Sequence, residues 1–382
     1  MNNIEILFFD LIHVSIGTAV CLSRTPSAAE WQTLYEMALK QSLVGVSFAG
    51  VQKLQAQQQT PPEVLYLQWM GIAAKIQQRN EIVNRQCVEV QKKMEADGFR
   101  TYVMKGQGNS ALYRASYENE DENENLPMLR QSGDIDIYLE GGFEKVYDYV
   151  QRTCPTKEVN ELEIHYHILK DTEVEIHYRP FIMRNPVKNK KLQKFLKEEG
   201  VKCFENKIAL PNDAGHISVP TVSFNLVHQM VHIYHHLFTE GIGMRQLMDY
   251  YFLLRSVKNV ENVKESKECI HSLGLDRFAS ALMWVICHVF DPQMLETWNL
   301  KPETALWKSN EKDGRFLLNE IMMAGNFGHH DDRIPQRMSA WKSFWYLNWH
   351  NMRLLRFDPW FWFWTPLWRI YHFAWRKMKG FY

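Results

Sequence analysis

The 382-residue sequence predicts an α+β fold: a small mixed sheet over residues 99–182, set between helical regions at 1–98 and 183–382. Three observations predict it. Apolar residues recur near helical spacing up to about residue 96, give way to short runs and strict alternation from 99, and return to helical spacing from 183. Each region has its own punctuation.

In the first region, IHVSIGTAV, the run from Ala28 to Leu54 and the run from Glu63 to Gly98 read as helices, separated by Thr25-Pro26 and Pro61-Pro62. Pro26 and Ser27 stand where the first turn of a helix accepts them. The extreme N-terminus carries Glu5 and Asp10 and no basic segment, so it reads as a core helix rather than a signal peptide.

The central region opens with FRTYVMKG, a short apolar strand, followed by the glycine turn of GQGNSALY, which can start a short helix. NEDENENLP reads as a solvated loop. DIDIYL then alternates strictly, which places Asp134 and Asp136 on one strand face and Ile135, Ile137 and Leu139 on the other. FEKVYDYVQRTC reads as a helix, and ELEIHYHIL and EVEIHYRP as strands joined across KDT in a hairpin or a wider antiparallel pair. The two EIHY strings, from Glu163 and from Glu175, are too short for a domain repeat. Helices return in TVSFNLVHQMVHIYHHLF, RQLMDYYFLLRSV, RFASALMWVICHVF and GRFLLNEIMMAG.

Composition narrows the function classes. Lysine plus arginine equals aspartate plus glutamate at 44 each, which argues against bulk DNA binding. Cys21, Cys87, Cys154, Cys203, Cys269 and Cys287 form no CxxC pair and read as free thiols of a reducing, cytoplasmic compartment. No stretch offers eighteen uncharged apolar residues, so a spanning helix is not expected.

Asp134 and Asp136 carry the chemistry. Like charges on one strand face repel unless solvent screens them or a cation neutralises them, so removing either charge is expected to leave a metal-free fold unharmed or relieved. A third carboxylate on a neighbouring strand completes an oxygen-rich set suited to Mg²⁺ or Mn²⁺. Glu175, flanked by Val174 and Ile176 on the opposite face, is the candidate, with Glu163 behind it; His177 is expected to face away from them in a supporting role. Two ions on three carboxylates suit phosphoryl or nucleotidyl transfer. The turn KGQGNS can point backbone N–H groups at phosphates, with Ser110 adding a hydroxyl.

This order of elements resembles the nucleotidyltransferase superfamily typified by DNA polymerase β. It is most similar to an uncharacterised bacterial nucleotidyltransferase-like family with a Lys-Gly turn, an Arg just before an Asp-x-Asp strand, and a later Glu-x-His-aromatic strand. Here these are VMKG ending at Gly106, RQSGDID from Arg130 to Asp136, and VEIHY from Val174 to Tyr178. The resemblance implies metal binding by Asp134, Asp136 and Glu175, and transfer of a nucleoside monophosphate from an NTP to a hydroxyl of a small molecule, sugar, RNA end or protein, with release of pyrophosphate. It places Lys105, Gly106, Gln107, Ser110 and Arg130 toward the nucleotide. Gln107 stands where the superfamily usually has glycine or serine. The alternative is a non-catalytic nucleotide-binding or scaffold protein whose aromatic tail holds a partner or a membrane surface.

Outside the motifs, Arg245 and Asp249 are spaced for an intrahelical ion pair, or Arg245 lies over the cleft for phosphate. His228, His232 and His236 recur every four residues, as zinc ligands lacking a third partner, as satisfied core histidines, or as a polar seam facing the nucleotide site. Residues 341–382 hold eight of the thirteen tryptophans; Trp341, Trp345 and Trp349 form a stripe that reads as packing. Trp368 to Lys379 is basic and amphipathic, which also suits a membrane surface, and Arg353, Arg356, Arg369 and Arg376 amid the aromatics suit stacking on bases.

Overall fold

The computed structural model describes residues 2–114, 125–257, 263–294, 307, 309–326, 349 and 351–381. The acidic segment 115–124 and the tryptophans Trp341 and Trp345 lie outside them. Helix starts and stops follow the local chemistry. In α1 (Asn3–Ile16), Asn2 and Glu5 form a capping box and Gly17 ends the helix in the left-handed region at φ 79°. Ser27 and Glu30 repeat the box at α2 (Ala28–Lys40). The run read as one helix to Leu54 breaks at Ser42, φ 56°, and resumes as α3 (Val44–Leu54). After Pro61-Pro62 comes α4 (Glu63–Ala96), 34 residues long.

The centre is a four-stranded mixed sheet in the order β1-β2-β4-β3, formed by β1 (Thr101–Val103), β2 (Ile135–Leu139), β3 (Glu163–His165) and β4 (Val174–His177). β1 and β3 run antiparallel to their neighbours, while β2 and β4 run parallel. Two short helices, α5 (Gln107–Ser110) and α6 (Leu126–Leu129), lie between β1 and β2, and α7 (Gly142–Thr153) follows β2. β3 and β4 are the wider antiparallel pair, not a tight hairpin. After α8 (Pro186–Cys203) a second, two-stranded sheet of β5 (Lys207–Leu210) and β6 (Gly215–Ser218) interrupts what the sequence presents as purely helical. Its turn, with Asn212 and Asp213 at positive φ, is built on PNDAG. Helices α9 (Val222–Thr239), α10 (Met244–Arg255), α11 (Lys264–Ser272), α12 (Asp276–Phe290) and α13 (Glu311–Ala324) follow. The C-terminal helix α14 (Phe361–Lys379) buries only Phe361 and Thr365; of the stripe expected upstream, only Trp349 is among the described residues, and it is 70% exposed.

Two apolar clusters organise these elements. The larger joins α1–α3 to α9, α10, α12 and α13, so the N-terminal and C-terminal helices share one core. The smaller lies on the aliphatic face of the sheet, where Ile135, Ile137, Ile164, Val174 and Ile176 meet Val146 and Val150 of α7. Helix α4 belongs to both: Leu65, Trp69 and Ala73 to the first, Val83, Cys87, Val90 and Met94 to the second. The opposite face of the sheet is thereby left for charge.

One close approach links this packing to the cleft. A Cβ on Gly45 of α3 would lie 2.2 Å from the Leu129 carbonyl oxygen, immediately before Arg130. Alanine is favoured over glycine within a helix by about 1 kcal/mol, but overpacking against backbone costs about 1–3 kcal/mol. Gly45→Ala is therefore expected to lower the melting temperature in calorimetry despite its better helix propensity; a rise would show that α6 can back away.

Candidate active site

The parallel register of β2 and β4 sets Asp136 opposite Glu175. On the other side of β4 the two EIHY strings pair crosswise: Glu163 is opposite His177, and His165 is opposite Glu175. All these side chains stand on one face, because residues two apart on a strand point the same way. That corrects the expected placement of His177. Its Nε2 lies 3.0 Å from Asp136 Oδ1, 3.1 Å from Glu163 Oε2 and 3.8 Å from Glu175 Oε2, at the centre of the carboxylates. His177 and His165 are the residues that sequence reasoning missed. The signal was present in the doubled EIHY string, whose Glu and His share a face at period two.

Lys105, at the end of the β1 segment, reaches into the same group, with Nζ 2.7 Å from Asp136 Oδ1. Burial disfavours its ammonium, but Asp136 and Glu175 outweigh that and push it up to about 12. Burial likewise opposes a charged His177, but Glu163, Asp136 and Glu175 push it up to about 9. Burial would raise Asp136, yet Lys105 and His177 hold it well below the usual carboxylate range. Glu175 goes the other way: burial and the nearby Asp136 and Glu163 charges, against the His177 hydrogen bond, raise it to about 7. Asp134 is raised by burial and by Asp136.

This balance overturns the expectation that either aspartate can be neutralised freely. Asp136 compensates two buried cations, so Asp136→Asn would leave them under-paired, a change that costs about 3–5 kcal/mol for a buried pair. Asp134, more exposed and raised in pKa, is the safe position.

The turn after Lys105 explains the glutamine. Gly106 has φ 60°, and a Cβ there would stand 3.5 Å from the Asp134 carbonyl oxygen, so the turn abuts the aspartate segment. The side chain of Gln107 points away from the cleft into α4, where its amide donates to Asn84 Oδ1 and, at 3.3 Å, to Asn80 Oδ1. Asn80 in turn donates to the carbonyls of Met128 and Arg130, both at 2.7 Å. The Ser110 hydroxyl is not turned toward a phosphate either; it donates to the Gln107 carbonyl at 2.9 Å.

Arg130 is held rather than left to reach. Its Nε and Nη2 donate to the two carboxylate oxygens of Asp249, each at 2.7 Å, and the Tyr113 hydroxyl adds a third bond of 2.7 Å. Asp249 therefore takes its two short hydrogen bonds from Arg130 rather than from Arg245, four residues before it, which acts on it through charge. Arg245 Nη1 donates to the Gln131 carbonyl at 2.9 Å, and burial and the Arg130 charge lower it to about 10. Asn109 joins the same polar cluster, accepting from Asn225 and Gln229 at 3.1 Å each.

Helix α9 closes the cleft with histidines. His228 donates to the Pro180 carbonyl at 3.3 Å, and His232 Nε2 accepts from Lys105 Nζ at 3.2 Å and lies 3.1 Å from His236 Nε2. Burial, reinforced by Lys105, lowers His228 to about 3 and His232 well below the usual histidine range, so both are neutral. They are hydrogen-bonded histidines that border the cleft. The triads of ligating side chains among the described residues are Asp136–Glu175–His177, Glu163–His165–Glu175 and Glu158–His165–Glu173, and none includes α9.

Two adjoining cavities result. The smaller, about 160 Å³, is lined by Lys105, Gly106, Asn109, Arg130, Asp134, Asp136 and Arg245 among others. The wider, about 690 Å³, is lined by Glu163, Glu175, His177, His235 and His236. Lys105, Asp134, His228 and His232 border both. Of the predicted site residues, Gln107 and Ser110 line neither, and Asp134 stands at the junction outside the ligating triads.

The site is thus a mixed sheet bearing facing carboxylates beside a Lys-Gly turn, enclosed by helices. The profile of the family described as "Uncharacterised nucleotidyltransferase" matches residues 27–291, more than half of the chain, and the chain belongs to that family. No curated protein and no solved structure matches it significantly.

The proton inventory makes a prediction for the metal-free protein. His177 rises from about 6.5 unfolded to about 9 folded, so its contribution is complete below pH 6.5 and lost as pH rises through 9. Glu175 rises from about 4.5 to about 7, so the stability tied to its proton is complete below pH 4.5 and lost as pH rises through 7. Asp136 acts oppositely, but only below about pH 3.8. His228 and His232, held neutral in the fold, act against Glu175: their contribution is complete above pH 6.5 and lost as pH falls below it. The melting temperature in chelator should therefore fall between about pH 7 and 9, and His177→Gln should flatten that slope. A profile rising across this window would refute the charge assignment.

Proposed function

We propose that the protein is a metal-dependent nucleotidyltransferase that moves a nucleoside monophosphate from an NTP to a hydroxyl acceptor and releases pyrophosphate. The observation that carries this reading is the parallel register of Asp136 with Glu175, directly beside the Lys105–Gly106 turn. The donor set fits a divalent ion: Asp136, Glu175 and His177 each offer a ligand atom within 4.8 Å of the others. Carboxylate oxygens suit Mg²⁺, and an imidazole among them admits Mn²⁺.

Asp136 and Glu175 would hold the ion, with Asp134 beside them at the cavity junction. When bound, it lowers the pKa of the attacking hydroxyl and stabilises charge on the leaving pyrophosphate. The rest falls to the chain. The smaller cavity, with Lys105, Arg245 and the Gly106 turn, carries the cations that a triphosphate needs. Arg130, fixed by Asp249, adds positive field there without having to move. The wider cavity suits the acceptor, because the neutral His228 and His232 and the carboxylate of Glu163 can orient a hydroxyl in it. As the acceptor oxygen gives up its proton to solvent and bonds the α-phosphorus, the bond from that phosphorus to pyrophosphate breaks, and Lys105 can follow the negative charge from Asp136 to phosphate.

The test uses positions where charge can be removed without unfolding. Asp134→Asn and Glu175→Gln should each lower pyrophosphate release from NTP, with Mg²⁺ or Mn²⁺ and a cell extract as acceptor source, by about a hundredfold or more, while melting in chelator holds or rises. Calorimetry should show NTP binding that requires the metal. Release by both variants at the wild-type rate would overturn the reading; metal-free NTP binding with no release would favour the non-catalytic alternative.

A further inference from the structure

Helix α14 has two unlike faces. The inner one packs on the body: Phe361 and Thr365 are buried, Arg184 lies over the rings of Phe361 and Trp368 at 5.3 and 5.1 Å, and Trp375 meets Phe143 at 5.7 Å. At 100° per residue, the opposite side carries Trp362, Phe363, Leu367, Ile370, Phe373 and Met378. Each of these is between 47% and 78% exposed. A contiguous apolar face of this kind on a protein in water marks an interaction surface.

Charge identifies what covers it. From residue 359 to the C-terminus the chain has four basic residues, Arg369, Arg376, Lys377 and Lys379, and no acidic one, although the whole chain is balanced at 44 to 44. Lys377 lies within the apolar face and Arg369 along one border of it, while Arg376 on that border donates to the Phe381 carbonyl at 2.9 Å and Lys379, on the inner side, pairs with Glu144 at 3.0 Å. A second copy packed on the same patch by a twofold axis would set these cations against themselves. An anionic bilayer surface satisfies both features, since apolar and aromatic side chains enter the headgroup boundary while the cations meet lipid phosphate. The helix is about 28 Å long at 1.5 Å per residue, and no helix among the described residues is long and apolar enough to cross a membrane. It would lie along the surface.

We infer that α14 docks the protein on anionic lipid bilayers, through the face centred on Ile370 and the cations beside it. The inference does not depend on the transfer reaction. It also links position to chemistry, because the segment after β4 lines both places: Pro180 and Phe181 border the wider cavity, and Ile182, Met183 and Arg184 border the groove under α14.

Co-sedimentation of the purified full-length protein with vesicles tests it. Binding to phosphatidylcholine–phosphatidylglycerol vesicles should exceed binding to phosphatidylcholine vesicles and should weaken with added salt. Phe363→Glu, Ile370→Glu and Lys377→Glu should each reduce it about tenfold or more, with the melting temperature unchanged because the side chains are exposed. A blue shift of tryptophan emission on anionic vesicles should accompany binding. Wild-type protein that stays in the supernatant with anionic vesicles would overturn the proposal, as would binding insensitive to all three substitutions. So would self-association in sedimentation velocity that Ile370→Glu abolishes, in the absence of vesicle binding.

Discussion

Asp136 is a carboxylate nearly out of water, held between the ammonium of Lys105 and the imidazole of His177. An isolated charge in that position would be prohibitively costly, so the two cations are conditions of the fold as much as parts of a cleft. They determine their own surroundings in turn. His177 can remain protonated because Glu163 and Glu175 flank it, and Lys105 can remain charged although His232 and His228 beside it are neutral. Lys105 and His177 thus already compensate much of the carboxylate charge gathered on this face.

The same economy governs the polar cluster behind the smaller cavity. Arg130 and Asp249 meet through two short bonds, with Tyr113 and Asn109 supplying further partners to the carboxylate. A buried charge pair of this quality contributes little net stability over an apolar pair of similar shape, but its geometry is narrow. What it provides is direction: the guanidinium is kept in one place on the cavity wall before any ligand arrives.

Much of this was legible in the sequence, and the illegible parts have definite causes. Alternation in DIDIYL and VEIHY identifies two strands and their polar face, because a sheet with one apolar side imposes period two whatever else it does. The same rule assigns His177 to that face, and only a miscount of it sends the side chain elsewhere. The β5–β6 hairpin is obscured because KIALPNDAGHIS is short and half polar, and its packing on the sheet core comes from distant residues. Arg245 and Asp249 have the spacing of a local pair, yet the stronger partner of Asp249 lies 119 residues away, which periodicity cannot report. Aromatic spacing in α14 is the same whether the helix faces protein or not; only the surrounding fold distinguishes the two.

Helix α4 carries a further constraint. Asn80 holds the backbone before the aspartate strand, Asn84 holds the glutamine of the glycine turn, and Gln91 both donates to the Thr101 carbonyl and accepts from the Ser218 amide. These anchors lie within twelve residues of one helix, so they work as marks on a ruler: their separation is set by a rise of about 1.5 Å and a turn of about 100° per residue. One residue added to α4 between Asn84 and Gln91 would advance one mark and swing it about a quarter-turn off its partner, putting turn and strand out of step while every amino acid of the cleft remained in place.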